Sequence, residues 1–290
     1  MSLLVTVGDL VTDLIIKVAA DEIDPVSDTP AVIERHRGGS AANVAVVSAR
    51  LGRPARFVGN LGRDEAGRAL VAELESLGIE AVGPSVERGV TIAVLVGADG
   101  SRRFLTDRGT EAPWPRADPA WIANGGRVHL TGYALANDYS ASTVLELAAQ
   151  AKAAGMAISL DPSSVSVIDA FGQQRFAELL AEVCPDVVLP NEDEADLVLE
   201  AALRIGALVV QTNGARSTEV FWPDGNGALV PVDPVEVLDT TGAGDAFAAG
   251  FLASYDRDGH VLAAVAAGHE ASRRVVGGVG ASAWEHGSDD

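Results

Sequence analysis

Short apolar runs alternate along most of this chain with segments whose apolar positions recur at roughly 3.6-residue spacing. The first run, Leu3–Val7, reads as a strand that turns at Gly8-Asp9, and a second extended stretch covers Leu14 to Val18. A polar, proline-containing segment follows from Asp21 to Pro30. Gly38-Gly39-Ser40 then opens a helix through Ala42 to Leu51, with small residues suited to close packing. Arg56–Val58 is a short strand, and Glu65–Leu77 carries Leu70, Val71, Leu74 and Leu77 at helical spacing before stopping at Gly78. Val90–Val96 and Arg102–Leu105 form a β-hairpin pattern that turns at Asp99-Gly100.

From about residue 126 the alternation becomes regular. Strands are expected at Arg127–Leu130, Ala157–Leu160, Val187–Leu189 and Ala207–Gln211, with helices near 140–154, 172–183 and 192–204. That order predicts right-handed βαβ units and a parallel sheet. A last β pair, Thr218–Trp222 and Ala228–Pro231, precedes a glycine-rich motif; the final helix covers Val261 to Val276, and the tail Glu285–Asp290 is expected to fray. The early β pairs near 10–35 and 88–108 do not belong to this alternating pattern, which leaves room for a small separate sheet.

Composition narrows the class. A chain of 290 residues suits one large α/β domain, so 1–290 is read as a single unit. No uninterrupted apolar run approaches a membrane span, and the N-terminus enters its strand without a basic n-region or a cleavage site. The single cysteine, Cys184, excludes an intrachain disulfide and a cysteine-based metal cluster; beside Pro185 it reads as a small core residue. A soluble cytoplasmic protein without a membrane partner is expected. The net charge of −20 argues against nucleic acid, although amides, one arginine or a metal can make a site locally positive.

The chemistry concentrates in residues 239–251, Asp-Thr-Thr-Gly-Ala-Gly-Asp-Ala-Phe-Ala-Ala-Gly-Phe. Gly242 and Gly244 flank Ala243, Asp245 follows, and an apolar run continues as a buried helix. A helix opening this way presents unpaired N–H groups and a positive dipole end, an anion site suited to phosphate. A carboxylate there is electrostatically awkward unless it has work to do. Asp245 taking a proton from a hydroxyl, while the amides hold the phosphoryl group under attack, is such work. The plainer alternative is a strand-to-helix turn with an Asp near its N-terminus.

The whole string resembles the C-terminal signature of the ribokinase-like (pfkB) carbohydrate kinases. That resemblance implies a three-layer α/β/α core with a mainly parallel sheet, a small β-sheet lid made by the two early β pairs, and ATP as the phosphoryl donor. Gly38-Gly39-Ser40-Ala41-Ala42-Asn43 resembles the family's N-terminal signature, in which the Gly38-Gly39 pair lets backbone approach the sugar and Asn43 bonds its hydroxyls. Asp13, five residues after Gly8, matches a carboxylate that accepts two sugar hydroxyls, with Asp9 as a nearby rival. Asn191-Glu192-Asp193-Glu194 resembles the Asn-x-x-Glu motif at the magnesium and phosphate end, with Asn191 toward the nucleotide phosphates and Glu194 toward Mg²⁺, in part through water. An N-cap with an acidic first turn explains the same residues, and both readings can hold. Thr212-Asn213-Gly214 resembles the segment along the nucleotide, so Thr212, Gly214 and Gly244 are further nucleotide-binding candidates. Asp239, with Thr241, is a candidate for a K⁺ loop, and the run Val276–Ser282 lies near that loop or the adenine. His269 reads as a packed or surface histidine.

Some positions depart from the family pattern. Ser40 stands where members handling phosphorylated sugars place a lysine, and His129–Tyr133 lacks the carboxylate that ribokinase aims at its sugar. The expected activity is therefore ATP- and Mg²⁺-dependent phosphorylation of a hydroxymethyl group on a small sugar or sugar-like acceptor. Asp245 is the base, and Gly242, Ala243 and Gly244 form the anion hole with it. A nucleoside kinase is the alternative within the fold; Phe104 is the one aromatic that 88–108 offers to a base. A non-catalytic regulator binding sugar or nucleotide is the alternative outside catalysis. A dehydrogenase does not fit, because the glycine motif lies near the C-terminus and not after the first strand. An exposed lid sheet makes a homodimer through the lid an expectation as well.

Overall fold

A computed structural model describes residues 1–18, 23, 26–97, 101–235 and 238–277. The expected turn at Asp99-Gly100, most of the Val276–Ser282 run and the terminal tail lie outside the described residues. The main sheet has nine strands. From one edge they are Gly227–Val230, Arg216–Phe221, Leu208–Asn213, Val187–Val188, Ala157–Asp161, Gly125–Thr131, Leu3–Val7, Ala55–Val58 and Glu80–Val82. The last seven run parallel and the first two pair antiparallel at the edge.

Strands buried on both faces are mostly apolar, and the alternation sorts their side chains onto the two faces. Val5, Val128, Ile158, Val188 and Val209 pack with Leu147, Phe176 and Val198 from the helices Ala141–Ala153, Gln173–Val183 and Glu192–Arg204. Leu4, Val187, Leu208 and Val210 turn the other way, against Val44 and Val47 of the helix Ser40–Arg50 and Phe247 and Phe251 of the helix Ala243–Asp258. The result is the α/β/α layering that the sequence leads one to expect. On this second face Thr6, His129 and Ser159 sit side by side in register and fully buried. His129 Nδ1 and Ser159 Oγ are 3.0 Å apart, and burial, with the Arg127 and Arg53 charges, pushes His129 down to about 3, so the ring is neutral.

Several short elements escape the sequence reading, among them a helix and an edge strand of the main layers. Val165–Phe171 is a separate helix of 7 residues, too short to show a period, and Gly172 at φ 103° divides it from the next. Glu80–Val82 is an edge strand of 3 residues, below the length at which alternation is visible.

A second, four-stranded sheet has the order Ala31–Gly38, Val11–Val18, Val90–Val96, Arg102–Asp107, with antiparallel, parallel and antiparallel pairings. In its register Asp13 pairs with His36 and Ile92, and Ile92 pairs with Thr106. These residues, with Ile15, Val94 and Phe104, present one face of the sheet to a cavity. The helices Ala243–Asp258 and Val261–Val276 pack closely through glycine: a Cβ on Gly268 would meet the Phe247 ring at 2.7 Å, and one on Gly250 would meet Ala267 O at 2.6 Å.

Candidate active site

The cavity encloses about 830 Å³ between the small sheet and the main sheet. Asp161 ends one parallel strand, Asn191 follows another, and Thr212 closes a third, so the cavity lies at the carboxyl ends of the strands. Open α/β sheets place their ligands there, because backbone at the strand ends is free to turn outward.

At one end the helix Ala243–Asp258 begins after Gly242, its N-cap, at φ 79°. The amide of Thr241 donates to Asp239 Oδ1 at 3.0 Å and that of Ala243 to Thr240 O at 3.1 Å. Among the described residues the N–H groups of Gly242, Gly244 and Asp245 have no partner. A Cβ at Gly244 would meet nothing within 4 Å, so the backbone there opens directly on the cavity. Three free amides at the positive end of a long helix suit a phosphoryl group. Ala243 is absent from the cavity wall, so the expected anion hole contracts to Gly242, Gly244 and Asp245.

Asp245 is held from the neighbouring helix. Its Oδ1 accepts from Ser40 Oγ at 2.6 Å and its Oδ2 from Asn43 Nδ2 at 2.8 Å. Burial pushes its carboxyl up, while those two hydrogen bonds and the Arg37 charge pull it back. Asn43 Oδ1 accepts from Arg37, so the Asn43 side chain that the sequence reading aims at a sugar is already committed on both sides. One Nδ2 hydrogen remains for a ligand. Ser40, which the sequence marks only as a helix start where some relatives place a lysine, is a direct partner of Asp245, a contact across 205 residues that no local pattern signals.

Asp13 lies on the small-sheet side, where burial raises its carboxyl to about 6 against the opposing pull of His36 and Arg37. The glycine pair has a packing reason: a Cβ on Gly38 would lie 2.2 Å from Asp13 Oδ2. Gly39, at φ 95°, would put one 2.1 Å from Asp9 O. Asp9 also lines the cavity, and burial raises its carboxyl, with Arg108 opposing.

Around the third corner, Asn191 and Glu194 form a reciprocal capping box. Asn191 N and Nδ2 donate to Glu194 at 3.0 and 2.8 Å, and Glu194 N donates to Asn191 Oδ1 at 2.9 Å. Burial raises Glu194, and burial together with the charges of Glu194 and Asp245 raises Asp161 well above the usual carboxylate range. Asp161 went unremarked in the sequence, where it looks like any strand-end aspartate. No group of three or more acidic, His or Cys side chains is preformed for a metal among the described residues. Crowded carboxylates with few direct ligands fit Mg²⁺, which keeps most of its waters and is completed by phosphate oxygens.

Asp239 does not fit the K⁺ reading. Its Oδ1 accepts from Thr241 N, from Thr241 Oγ1 at 2.7 Å and from Arg102 at 3.4 Å, so the charge that would draw a cation is paired. Gly214 likewise stands apart: it occupies a β-turn at φ 61° and does not line the cavity, whereas Thr212 does. His269 is packed beside Phe247, its Nε2 2.8 Å from Thr218 Oγ1.

The pattern of pfkB family carbohydrate kinases matches residues 1–286. The chain is 35% identical over 251 residues to an ATP-dependent ribose-1-phosphate kinase of Halopiger xanaduensis, covering 82% of this chain and 80% of that protein. It is 30% identical over 272 residues to fructokinase-1 of Oryza sativa subsp. japonica, covering 86% and 82%. Among solved structures, adenosine kinase from Sinorhizobium meliloti superposes with a TM-score of 0.82 at 24% identity over 97% of this chain and 95% of that one, a likeness of fold. The chain belongs to the pfkB family of carbohydrate kinases, and is a phosphotransferase acting on an alcohol acceptor.

Proposed function

We propose that the chain transfers the γ-phosphoryl group of ATP to a primary hydroxyl of a small sugar or sugar-derived acceptor, with Asp245 as base. The observation that carries this reading is the pairing of Asp245, oriented by Ser40 and Asn43, with three free amides at the same helix end. The acceptor oxygen forms its bond to phosphorus as the bond from phosphorus to the bridging oxygen breaks. The hydroxyl proton passes to Asp245 and ADP leaves. Phosphoryl transfer asks mainly for position and charge stabilisation. Gly242, Gly244 and Asp245 donate to the transferred group, and Asp13 accepts the acceptor's other hydroxyls together with the free Asn43 hydrogen. Asp161 and Glu194 are the groups facing Mg²⁺, which neutralises charge on the phosphates when bound.

A second reading of the acceptor rests on the small sheet. Beside the polar Asp13, His36 and Thr106, its inner wall carries Val11, Ile15, Val90, Ile92, Val94 and Phe104, an apolar stretch that suits a ring system better than a bare polyol. A nucleoside, with the sugar on Asp13 and the base against that wall, fits it. An ADP-release screen decides between the readings, with arms for fructose, ribose, ribose 1-phosphate, adenosine and other nucleosides. Turnover on free or phosphorylated sugars alone favours the first reading, and turnover on nucleosides alone the second. Ligand binding without turnover on any arm points to a non-catalytic regulator.

A further inference from the structure

Behind the cavity, a line of polar groups runs from the protein exterior to Asp245. Glu73, on the helix Glu65–Ser76, accepts from Arg37 Nε at 2.8 Å. Arg37 Nη1 donates to Asn43 Oδ1, and Asn43 Nδ2 donates to Asp245 Oδ2 at 2.8 Å. Arg37 is 3% exposed, is the penultimate residue of the strand Ala31–Gly38, and does not line the cavity. We propose that Arg37 is a positioning residue for phosphoryl transfer: through Asn43 it fixes the orientation and charge of the Asp245 carboxylate without touching either substrate. The proposal rests on Asp245 being the base.

An amide has one acceptor end and one donor end, nearly equal in shape. Only one orientation of Asn43 helps Asp245, with Nδ2 toward the carboxylate; the flipped one sets oxygen against oxygen. A guanidinium behind Asn43 accepts no hydrogen bond, so it selects the helpful orientation. Alternating charge along the line, carboxylate, guanidinium, amide, carboxylate, strengthens each link in a buried setting. The groups that face Asp245 are Ser40 and Asn43 from the helix Ser40–Arg50, Asp161 and Tyr133 across the cavity, and Arg37 from behind. Arg37 is the one cation in that set. Its field also reaches Asp13 on the acceptor side. Arg37 belongs to the small sheet and Glu73 to a core helix, so their ion pair ties the base to the root of the sheet that walls the acceptor site.

The test compares Arg37→Met, Arg37→Lys, Asn43→Ala and Arg37→Met/Asn43→Ala with wild type, using the acceptor that turns over fastest in the screen and ¹³C-carboxyl NMR of Asp245. Arg37→Met is expected to lower kcat by about 10- to 100-fold with little change in the acceptor KM. It also raises the Asp245 titration midpoint, which Arg37→Lys keeps near the wild-type value. In the Asn43→Ala background Arg37→Met adds little further loss, because its effect passes through the missing amide. If Arg37→Met does not fold, Arg37→Gln carries the comparison with wild type: it offers Asn43 a donor without a charge, so kcat falls by less than in Asp245→Asn while the Asp245 midpoint rises. Asp245→Asn is the control. An inactive Asp245→Asn beside a folded Arg37→Met with wild-type kcat and an unmoved midpoint overturns the role of Arg37. Additive losses in the double variant overturn it too. A fully active Asp245→Asn overturns the base assignment itself.

Discussion

Asp245 sits at the positive end of its own helix, yet the groups that orient it, Ser40 and Asn43, come from a helix more than two hundred residues earlier in the chain. Burial makes its charge costly, so the residue trades stability for function. Asp245→Asn is expected to lose at least about 10²-fold in kcat while melting no lower than wild type, a comparison that thermal denaturation and initial rates settle together. Asp13 supplies a pH prediction. Its carboxyl is raised from the ordinary 3.8 to about 6, so folding favours its protonated form, and its contribution to stability, full below the ordinary value, is lost as pH rises through about 6. With Asp13 holding the acceptor as proposed, binding runs the other way, since the ionised form accepts two hydroxyls best. Acceptor affinity should therefore rise about tenfold between roughly pH 5 and 7, and Asp13→Asn should flatten that dependence. The glycine motif and its carboxylate were legible in the sequence because their spacing is local. Ser40 and Arg37 were not, because their meaning depends on which helix the fold sets opposite Asp245.

The helix that carries Asp245 is anchored at its far end. Asp256 binds Arg53 at 2.7 Å and Arg127 through Nε and Nη2 at 2.9 and 2.7 Å, and Arg53 and Arg127 are almost fully buried. Two cations at a helix C-terminus suit its dipole, and Asp256 is the carboxylate they share. Removing it strands both charges, so Asp256→Ala should destabilise the fold by about 3–5 kcal/mol. Asp256 lies roughly 16 Å along the helix from Asp245, so protein that remains folded should keep its kcat; denaturant titration with activity read on the same samples checks both halves. On the helix Val261–Val276 packed against it, Gly268→Val would push against the Phe247 ring and should cost about 1–3 kcal/mol, seen as a lowered unfolding midpoint. Periodicity placed the helices Glu192–Arg204 and Val261–Val276 because each is long and one-sided. It could not show Val165–Phe171 or Glu80–Val82, whose lengths fall below a readable period, nor the strand Ala31–Gly38, whose charged residues lie at a sheet edge.

Across the whole molecule, an excess of negative charge meets a reaction between two electron-rich partners. The chain carries −20, and Asp9, Asp13, Asp161, Glu194 and Asp245 all line one cavity. Amides at a helix end answer part of that repulsion, and a divalent cation answers more. Chelating Mg²⁺ should therefore weaken ATP binding as well as stop turnover, which calorimetry with and without the metal reads directly. Overall class and reaction type were legible because five short motifs occur in family order along the chain. The acceptor was not, because the inner wall of the small sheet, which the proposed reading sets against it, is assembled from side chains of four strands that meet only after folding. The central claim is that Asp245 removes the acceptor proton beside a helix-end anion hole. It is tested most directly by acceptor-dependent ADP release from wild type and Asp245→Asn in parallel, with Mg·ATP affinity measured on both. Equal nucleotide binding and a loss of at least about 10²-fold in kcat are expected for the variant; wild-type turnover by Asp245→Asn would remove Asp245 from the role of base.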